Sequence, residues 1–361
     1  MSHDMPTGTP GRAQDRRSFL GEVRDAVTPR ATLLVLGVLA LQLLFIASYV
    51  GALHAPKPVD VPFGIAAPKG AAEQTVRRLE RLPGTPLDPR TVAGAADARR
   101  QILDRKIDGA LVVDPEGLTD TLLVASGGGK ALAAALESLT VQLEQAEGRE
   151  LRVADVASAS GEDFNGLSSF YLVVGWCVGG YLCASILAIS TGARPANPRR
   201  AAIRLLVMAL VAIAGGLGGA VIIGPILGAL PGSVVGLWWT GALITFAVGA
   251  ATLALQGLFG IIGIGLAILL VVIAGNPSAG GAFPLPMLPP FWKAIGPALP
   301  PGAGTWAARS IAYFKGNALT APLLVLSAWA VAGSAVTMLA ATLRRRRQET
   351  EPPAPGAAQT A

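Results

Sequence analysis

The chain has 361 residues, of which 52% are hydrophobic and only 14% charged, with a formal net charge of +6. An average globular domain is about a quarter charged, whereas the charges here crowd into residues 1–30, 54–165, 192–204 and 344–351, a distribution that excludes ordinary soluble classes and fits membrane spans joined by wet loops. The positive balance sits at the ends of spans, where Lys and Arg favour the cytoplasmic side, so nucleic acid is not needed to explain it.

In chain order, residues 1–30 read as a cytoplasmic tail. Residues 1–14 look disordered, and a short amphipathic helix then presents Phe19, Leu20, Val23 and Val27 to the inner leaflet. The apolar run 31–53 competes between signal peptide and anchor. It exceeds the about 7–15 residues of a signal core. Its thirteen Leu, Val, Ile and Phe residues contribute about −4 to −8 kcal/mol to insertion, partly offset by Gln42. It is expected to stay in the bilayer.

Residues 54–165 change pattern entirely. Strands at 59–67, 91–93, 109–113, 120–125 and 151–156 alternate with helices at 70–82, 94–106 and 129–146, which predicts an inserted α/β domain with its own core. Its carboxylates Asp60, Asp88, Asp108, Asp114 and Asp120 are expected at solvated strand ends. Gly127-Gly128-Gly129-Lys130 superficially suggests a phosphate loop, but Val124 stands where the leading glycine belongs and Ala131 where Ser or Thr belongs. It reads as a turn and helix start.

Further spans are predicted at 168–191, 203–227, 233–255, 257–276 and 320–343, making an all-α bundle of six transmembrane helices around the inserted domain. Basic residues precede the first span, lie at Arg194, Arg199, Arg200 and Arg204 between the second and third, and follow the sixth at Arg344 to Arg347. An even number of crossings places all three clusters on one side, which the positive-inside rule makes cytoplasmic. Residues 54–165 then face outward, and 344–361 form a basic, disordered tail.

The outer segment 277–317 mixes eight prolines within 276–317 with Phe283, Phe291, Trp292, Trp306, Tyr313 and Phe314. Proline forbids a regular span there. Two short helices, near 288–298 and 303–315, predict either a re-entrant hairpin capping the bundle or an interfacial loop with aromatic anchors. In the first reading Phe291, Trp292, Trp306 and Tyr313 guard an outer gate.

Chemistry is defined largely by what is missing. With Arg204 counted in the loop cluster, the spans are read as holding no Asp, Glu, Lys, Arg or His, which argues against proton relays and ion coupling. His3 and His54 sit at a tail and an interface, no metal spacing is present, and no nucleophile–base pair is legible. Neither catalysis nor a cofactor is expected. Cys177 and Cys183 lie six residues apart on one helix, about 9 Å along its axis, too far for a disulfide. The pairs Gly175/Gly179 and Gly215/Gly219, with Gly263/Ala267, are small-xxx-small patterns suited to helix packing within the bundle or across a dimer.

The run from Gly275-Asn276-Pro277 to Ala282-Phe283-Pro284, the run Leu288-Pro289-Pro290-Phe291-Trp292 through Leu299-Pro300-Pro301-Gly302-Ala303-Gly304, and the segments Ile102 to Arg105, Asp108 to Val113 and Phe170 to Gly175 resemble bacterial type 2 ABC-transporter permease-like proteins. The similar branch is the phage-infection-protein-like one, with the related domain of unknown function of nitrosoguanidine-resistance membrane proteins. The resemblance covers most of 55–320. It implies the plasma membrane of a bacterium, six spans, an amphipathic entry helix, an outward hairpin before the last span, and export of drugs, lipids or polysaccharides driven by a separate cytoplasmic ATPase; in the export reading a homo- or heterodimer forms the path. The short loop 192–202 departs from that pattern, since it leaves little surface for an ATPase. The alternative expectation is a non-transporting envelope scaffold or receptor working through residues 54–165.

Overall fold

The computed structural model describes residues 28–350; the expected amphipathic helix around 19–27 and the tails 1–14 and 351–361 lie outside them. The chain divides into two compact units between Ile46 and Ala47. The first is represented by helix α1 (Pro29–Leu53), which begins in it and ends in the second. Thr28 starts that helix: its Oγ1 accepts the Ala31 N–H at 3.1 Å, with Pro29 at the first helical position, where its missing N–H costs nothing.

The α/β domain holds strands β1 (Val61–Ala66), β2 (Leu87–Thr91), β3 (Gly109–Val112), β4 (Thr119–Val124) and β5 (Glu150–Asp155), with helices α2 (Lys69–Glu80), α3 (Ala95–Leu103) and α4 (Lys130–Ala146). The sheet order is β2-β1-β3-β4-β5. β1 is parallel to β2 and β3, β4 is antiparallel to β3, and β5 is parallel to β4. The starts of β1 and β3 and the ends of β4 and β5 therefore share one edge of the sheet. Through that edge the chain arrives from α1 and departs toward the next long helix. The two-residue period sorts the core: Phe63, Ile65, Leu111 and Leu122 pack with α2 and α4 on one face, while Ala110 and Leu123 pack with α3 on the other. Each fully buried large side chain contributes about 1.5–3 kcal/mol. The strand expected at 91–93 lies at 87–91 instead; Pro89 is accepted there because β2 is an edge strand with free N–H positions.

Beyond the domain run α5 (Ser168–Thr191), α6 (Pro198–Val221, continuing as a π-helix to Ile226), α7 (Val234–Phe259), α8 (Ile262–Ile268, continuing in π and α form to Ser278) and α11 (Thr320–Thr350). The short α9 (Pro290–Ile295) and α10 (Pro300–Tyr313) precede the last. Among the described residues, five helices, α1, α5, α6, α7 and α11, are long and apolar enough to cross a membrane, and Ile262–Ser278 is a shorter apolar helix. The predicted boundary between spans at 255–257 moves to Gly260, whose φ of +66° is a left-handed conformation that ends α7. α11 runs past Leu343 through the arginines to Thr350. α7 is central, packed against α5, α6 and α11.

The interface glycines differ from the expected ones. A Cβ at Gly175, Gly179 or Gly215 would meet nothing within 4 Å, whereas one at Gly180 would lie 2.6 Å from Thr245 O and one at Gly216 2.6 Å from Ala242 N. The close-contact stripe is thus one residue displaced from the predicted pairs. Gly219 alone of the four is crowded, 2.5 Å from Trp176 Nε1, which donates to Gly215 O at 3.1 Å.

Two further expectations are corrected. Arg204 is buried inside α6, donating to Thr191 Oγ1 and Gly192 O at 2.6 Å each, because α6 begins at Pro198 and shortens the preceding loop. Asp120 is not a solvated strand end: it is 1% exposed and accepts Arg149 Nε at 2.7 Å, Arg149 Nη2 at 2.5 Å and the Asp114 N–H at 2.8 Å. Burial works to raise its pKa, but those bonds outweigh it and hold the carboxyl below the usual range. Glu144, equally buried beside it, goes the other way: burial first, then its hydrogen bond with Asp120, push it up to about 7, against the pull of Arg78 and Arg149.

Two outcomes follow. A Glu whose folded pKa is raised costs stability as pH climbs from about 4.5 through about 7, because the unfolded chain releases the proton first. Glu144→Gln should therefore match the wild type near pH 4 and exceed it by a few kcal/mol at pH 8, each pKa unit being about 1.4 kcal/mol; thermal melts of the full chain in detergent across pH check this. Gly219→Leu should lower stability by about 1–3 kcal/mol through displacement of Trp176, while Gly179→Leu changes the melt little, as paired melts will show.

Candidate functional site

Residues 276–319 are built by proline and glycine. Pro290 and Pro300 occupy the first turns of α9 and α10, where a missing N–H is harmless, and the residues before them are extended, as a following proline demands. Two close approaches require glycine: a Cβ at Gly296 would stand 2.0 Å from Ser278 O, and one at Gly302 would stand 2.1 Å from Gly296 O. Three backbone segments thus stack directly on one another.

Arg309 on α10 holds the assembly from inside. It is 4% exposed, and its guanidinium donates to Gly280 O and Gly281 O at 2.7 Å, to Gly166 O at 3.2 Å and to Ser169 Oγ at 3.2 Å. Neutral acceptors therefore solvate a buried cation. One turn on, Tyr313 OH donates to Asp163 Oδ2 at 2.9 Å, and Asp163 Oδ1 accepts the Ser168 N–H at 2.9 Å.

The α/β domain docks onto this segment through the shared sheet edge. Arg105 Nη1 donates to Trp306 O at 2.9 Å and to Ser310 Oγ at 2.8 Å, while the guanidinium carbon lies 3.4 Å from the Trp306 ring centre and 4.7 Å from that of Phe314. Arg105 follows α3 with φ +58°, where helices ordinarily place glycine. That conformation costs of order 1 kcal/mol for a residue with a side chain, and it is held here by the guanidinium's contacts. Asn317 Nδ2 donates to Leu103 O at 3.1 Å, and the Val59 N–H donates to Pro286 O at 2.9 Å. The Gly127–Gly129 turn is part of the same joint: a Cβ at Gly127 would strike Tyr313 and one at Gly129 would strike Pro284.

Between these contacts lies a cavity of about 720 Å³. The domain contributes Asp60, Pro62, Arg105, Lys106 and Asp108 to its wall. The proline-rich segment contributes Leu285, Lys293, Thr305, Trp306 and Arg309 among others, and the start of α11 contributes Ala321, Pro322 and Val325. Its volume falls within the about 300–1,000 Å³ of small-molecule pockets, and its walls are apolar with a few converging charges, as such pockets are. Burial draws Arg105 down to about 9, aided by repulsion from Arg309 and opposed by Asp108, so it stays charged near neutrality. Burial pushes Asp108 up to about 6, against the pull of Arg105, Lys293 and Arg90, so Asp108 too departs from the solvated strand end expected of it.

The predicted gate residues separate. Trp306 lines the cavity, and its Nε1 donates to Ala318 O at 3.2 Å. Phe291 is exposed and meets the half-buried Trp292 edge-on at 5.1 Å, away from the cavity wall. Tyr313 is buried as a docking residue. Sequence reasoning missed Arg105, Lys293 and Arg309; for Lys293 and Arg309 a positive charge amid an aromatic, proline-rich run was the available signal, and for Arg105 in the α/β domain there was none. Among the described residues, no group of three His, Cys, Asp or Glu is placed to hold a metal ion. Comparison with family models, with curated proteins and with solved structures finds no match to this chain, so function must be argued from the geometry.

Arg105→Ala should loosen the joint without unfolding the sheet. The loss combines a desolvated cation–π contact with two charge-assisted hydrogen bonds, about 2–4 kcal/mol. Hydrogen exchange should show amides of 126–129 and 300–318 losing protection while those of β3 keep theirs. Arg105→Lys should rescue poorly, because an ammonium cannot stack and donate as a planar fork.

Proposed function

We propose that the chain is a six-span, permease-like subunit of a bacterial plasma membrane that moves a lipophilic or envelope-related compound, using an ATPase carried on a separate polypeptide. The observation that carries this reading is the apolar-walled cavity, built jointly by the α/β domain and the proline-rich segment. The helix Ile262–Ser278 supplies the sixth crossing in this reading. Its 17 residues reach the lower end of the about 17–25 that span a hydrocarbon core. The proline-rich segment then lies at the outer end of the bundle, where irregular backbone is tolerated because protein buries it and a cavity adjoins it. Both termini and the arginines at 194–204 and 344–347 face the cytoplasm by the positive-inside rule. A homo- or heterodimer has open glycine surface available at Gly175 and Gly179.

The scaffold alternative would run its contacts through the exposed surface of the α/β domain, and the cavity would have no role. Ala321 is exposed on the cavity wall at the start of α11, so Ala321→Trp fills the space without touching the joint. In a strain lacking the gene, wild type should restore resistance to a panel of lipophilic toxins. Ala321→Trp and Trp306→Ala should fail at normal membrane abundance, and a Glu73→Gln/Arg77→Gln surface variant should complement. Full complementation by Ala321→Trp with failure of the surface variant would sink the export reading.

A further inference from the structure

The charges on the cavity wall do not cancel. On the wall itself Arg105, Lys106, Lys293 and Arg309 stand with Asp60 and Asp108, four cations to two carboxylates and an excess of two positive charges on the lining, while Asp104 and Asp163 stand behind Lys106 and Arg309. Arg309 spends its guanidinium on four neutral acceptors and acts as a fixed charge. The other three keep donors to offer. Arg105, which lines the cavity, bonds the protein through Nη1 alone among the described hydrogen bonds, so its Nη2 and Nε are without a hydrogen-bond partner there. Lys293 makes one long bond, to Val59 O at 3.3 Å, and has no carboxylate within ion-pair distance among the described residues. Lys106 is half-held by Asp104 at 3.5 Å, an exposed pair worth little. The amino end of the 14-residue α10 adds partial positive charge, since Gly302 and Ala303 lie on the same wall. The same wall carries apolar side chains at Leu285, Pro322 and Val325.

From this division we infer that the cavity's occupant is an amphiphile with a phosphomonoester head, held by Arg105, Lys106 and Lys293, its tail lying against Leu285 and Val325. A phosphomonoester carries about −1.5 to −2 at neutral pH and offers three acceptor oxygens, which matches an excess of two positive charges with three donors to spare. A neutral amphiphile would leave that excess uncompensated in an apolar chamber, and a cationic one would add to it. The inference rests on the reading of the cavity as a compartment for a lipophilic compound, and it names the class of that compound.

The test uses the full chain in phosphatidylcholine nanodiscs and measures binding of three probes by native mass spectrometry and equilibrium titration. They are lysophosphatidic acid, the monoacylglycerol of equal chain length, and inorganic phosphate. Lysophosphatidic acid should bind at least about tenfold tighter than monoacylglycerol, the order expected of one or more charge-assisted hydrogen bonds. Lys106→Gln/Lys293→Gln should cost it about tenfold or more while leaving monoacylglycerol unchanged; the long Lys293 bond to Val59 O is lost, but the Arg105, Asn317 and Val59 N–H contacts of the joint use neither lysine. Inorganic phosphate should not compete at millimolar concentration. Equal binding of both lipids, or indifference to the lysine changes, overturns the head-group assignment. Competition by inorganic phosphate at parity overturns the amphiphile in favour of a free-phosphate site. If both lipids bind equally and Ala321→Trp blocks both, the compartment stands and only its class is wrong. If neither lipid binds, the compartment reading falls as well.

Discussion

A buried guanidinium organises the half of the molecule that carries the cavity. Proline strips residues 276–302 of the N–H groups that would make a regular helix, so the segment cannot hold its own shape by a hydrogen-bond ladder. Arg309 supplies the missing constraint by gathering the carbonyls of Gly166, Gly280 and Gly281 and the hydroxyl of Ser169 around one charge. Those acceptors come from the start of α5 and from the turn after α8. One side chain therefore fixes where α10 sits relative to both helices. Breaking such a set leaves an unsolvated buried charge, a loss of about 3–5 kcal/mol. The glycines at 296 and 302 then allow the backbone stacking that the charge demands.

Arg105 repeats the logic one layer out. It bridges the sheet edge to α10 while Arg309 bridges α10 to α5, and Tyr313 with Asp163 closes the third side. The α/β domain is joined to α10 by groups whose angles are fixed: a planar cation on an indole ring, an amide on a carbonyl, a phenol on a carboxylate. Arg105 thus ties α10 directly to the start of β3 rather than through a linker.

Local pattern carried most of the fold and little of the site. Alternation in Phe63–Ile65 and Ala110–Leu111 and the apolar runs of α1, α5 and α7 are visible in sequence, because a two-residue or 3.6-residue period is a property of neighbouring positions. The joint is not: Arg105 reaches residues 201 and 205 positions away, and Arg309 reaches one 143 positions away. The glycine pairs failed for a related reason. Spacing marks a stripe, but Gly175 and Gly180 differ only in which side of α5 meets α7, and that is decided by where Trp176 and Thr245 stand. Asp120 was misread because its strand-end position conceals Arg149, which arrives from the start of β5.

Cavity electrostatics follow from the same two arginines. Each was needed to hold backbone, and each brings a charge that the holding contacts do not neutralise, since carbonyls, hydroxyls and aromatic faces stabilise a cation without cancelling it. Their mutual repulsion contributes to the depression of Arg105. Asp108, at the edge between them and Lys293, is desolvated enough to weaken as a counter-ion, rising to about 6. A wall assembled this way is positive because of how it is built. An anion entering it would recover solvation that the fold withholds from its own cations, and the joint that positions the domain would be stabilised by the same contact. Arg105 thus serves both structures at once, lining the cavity while its Nη1 holds α10.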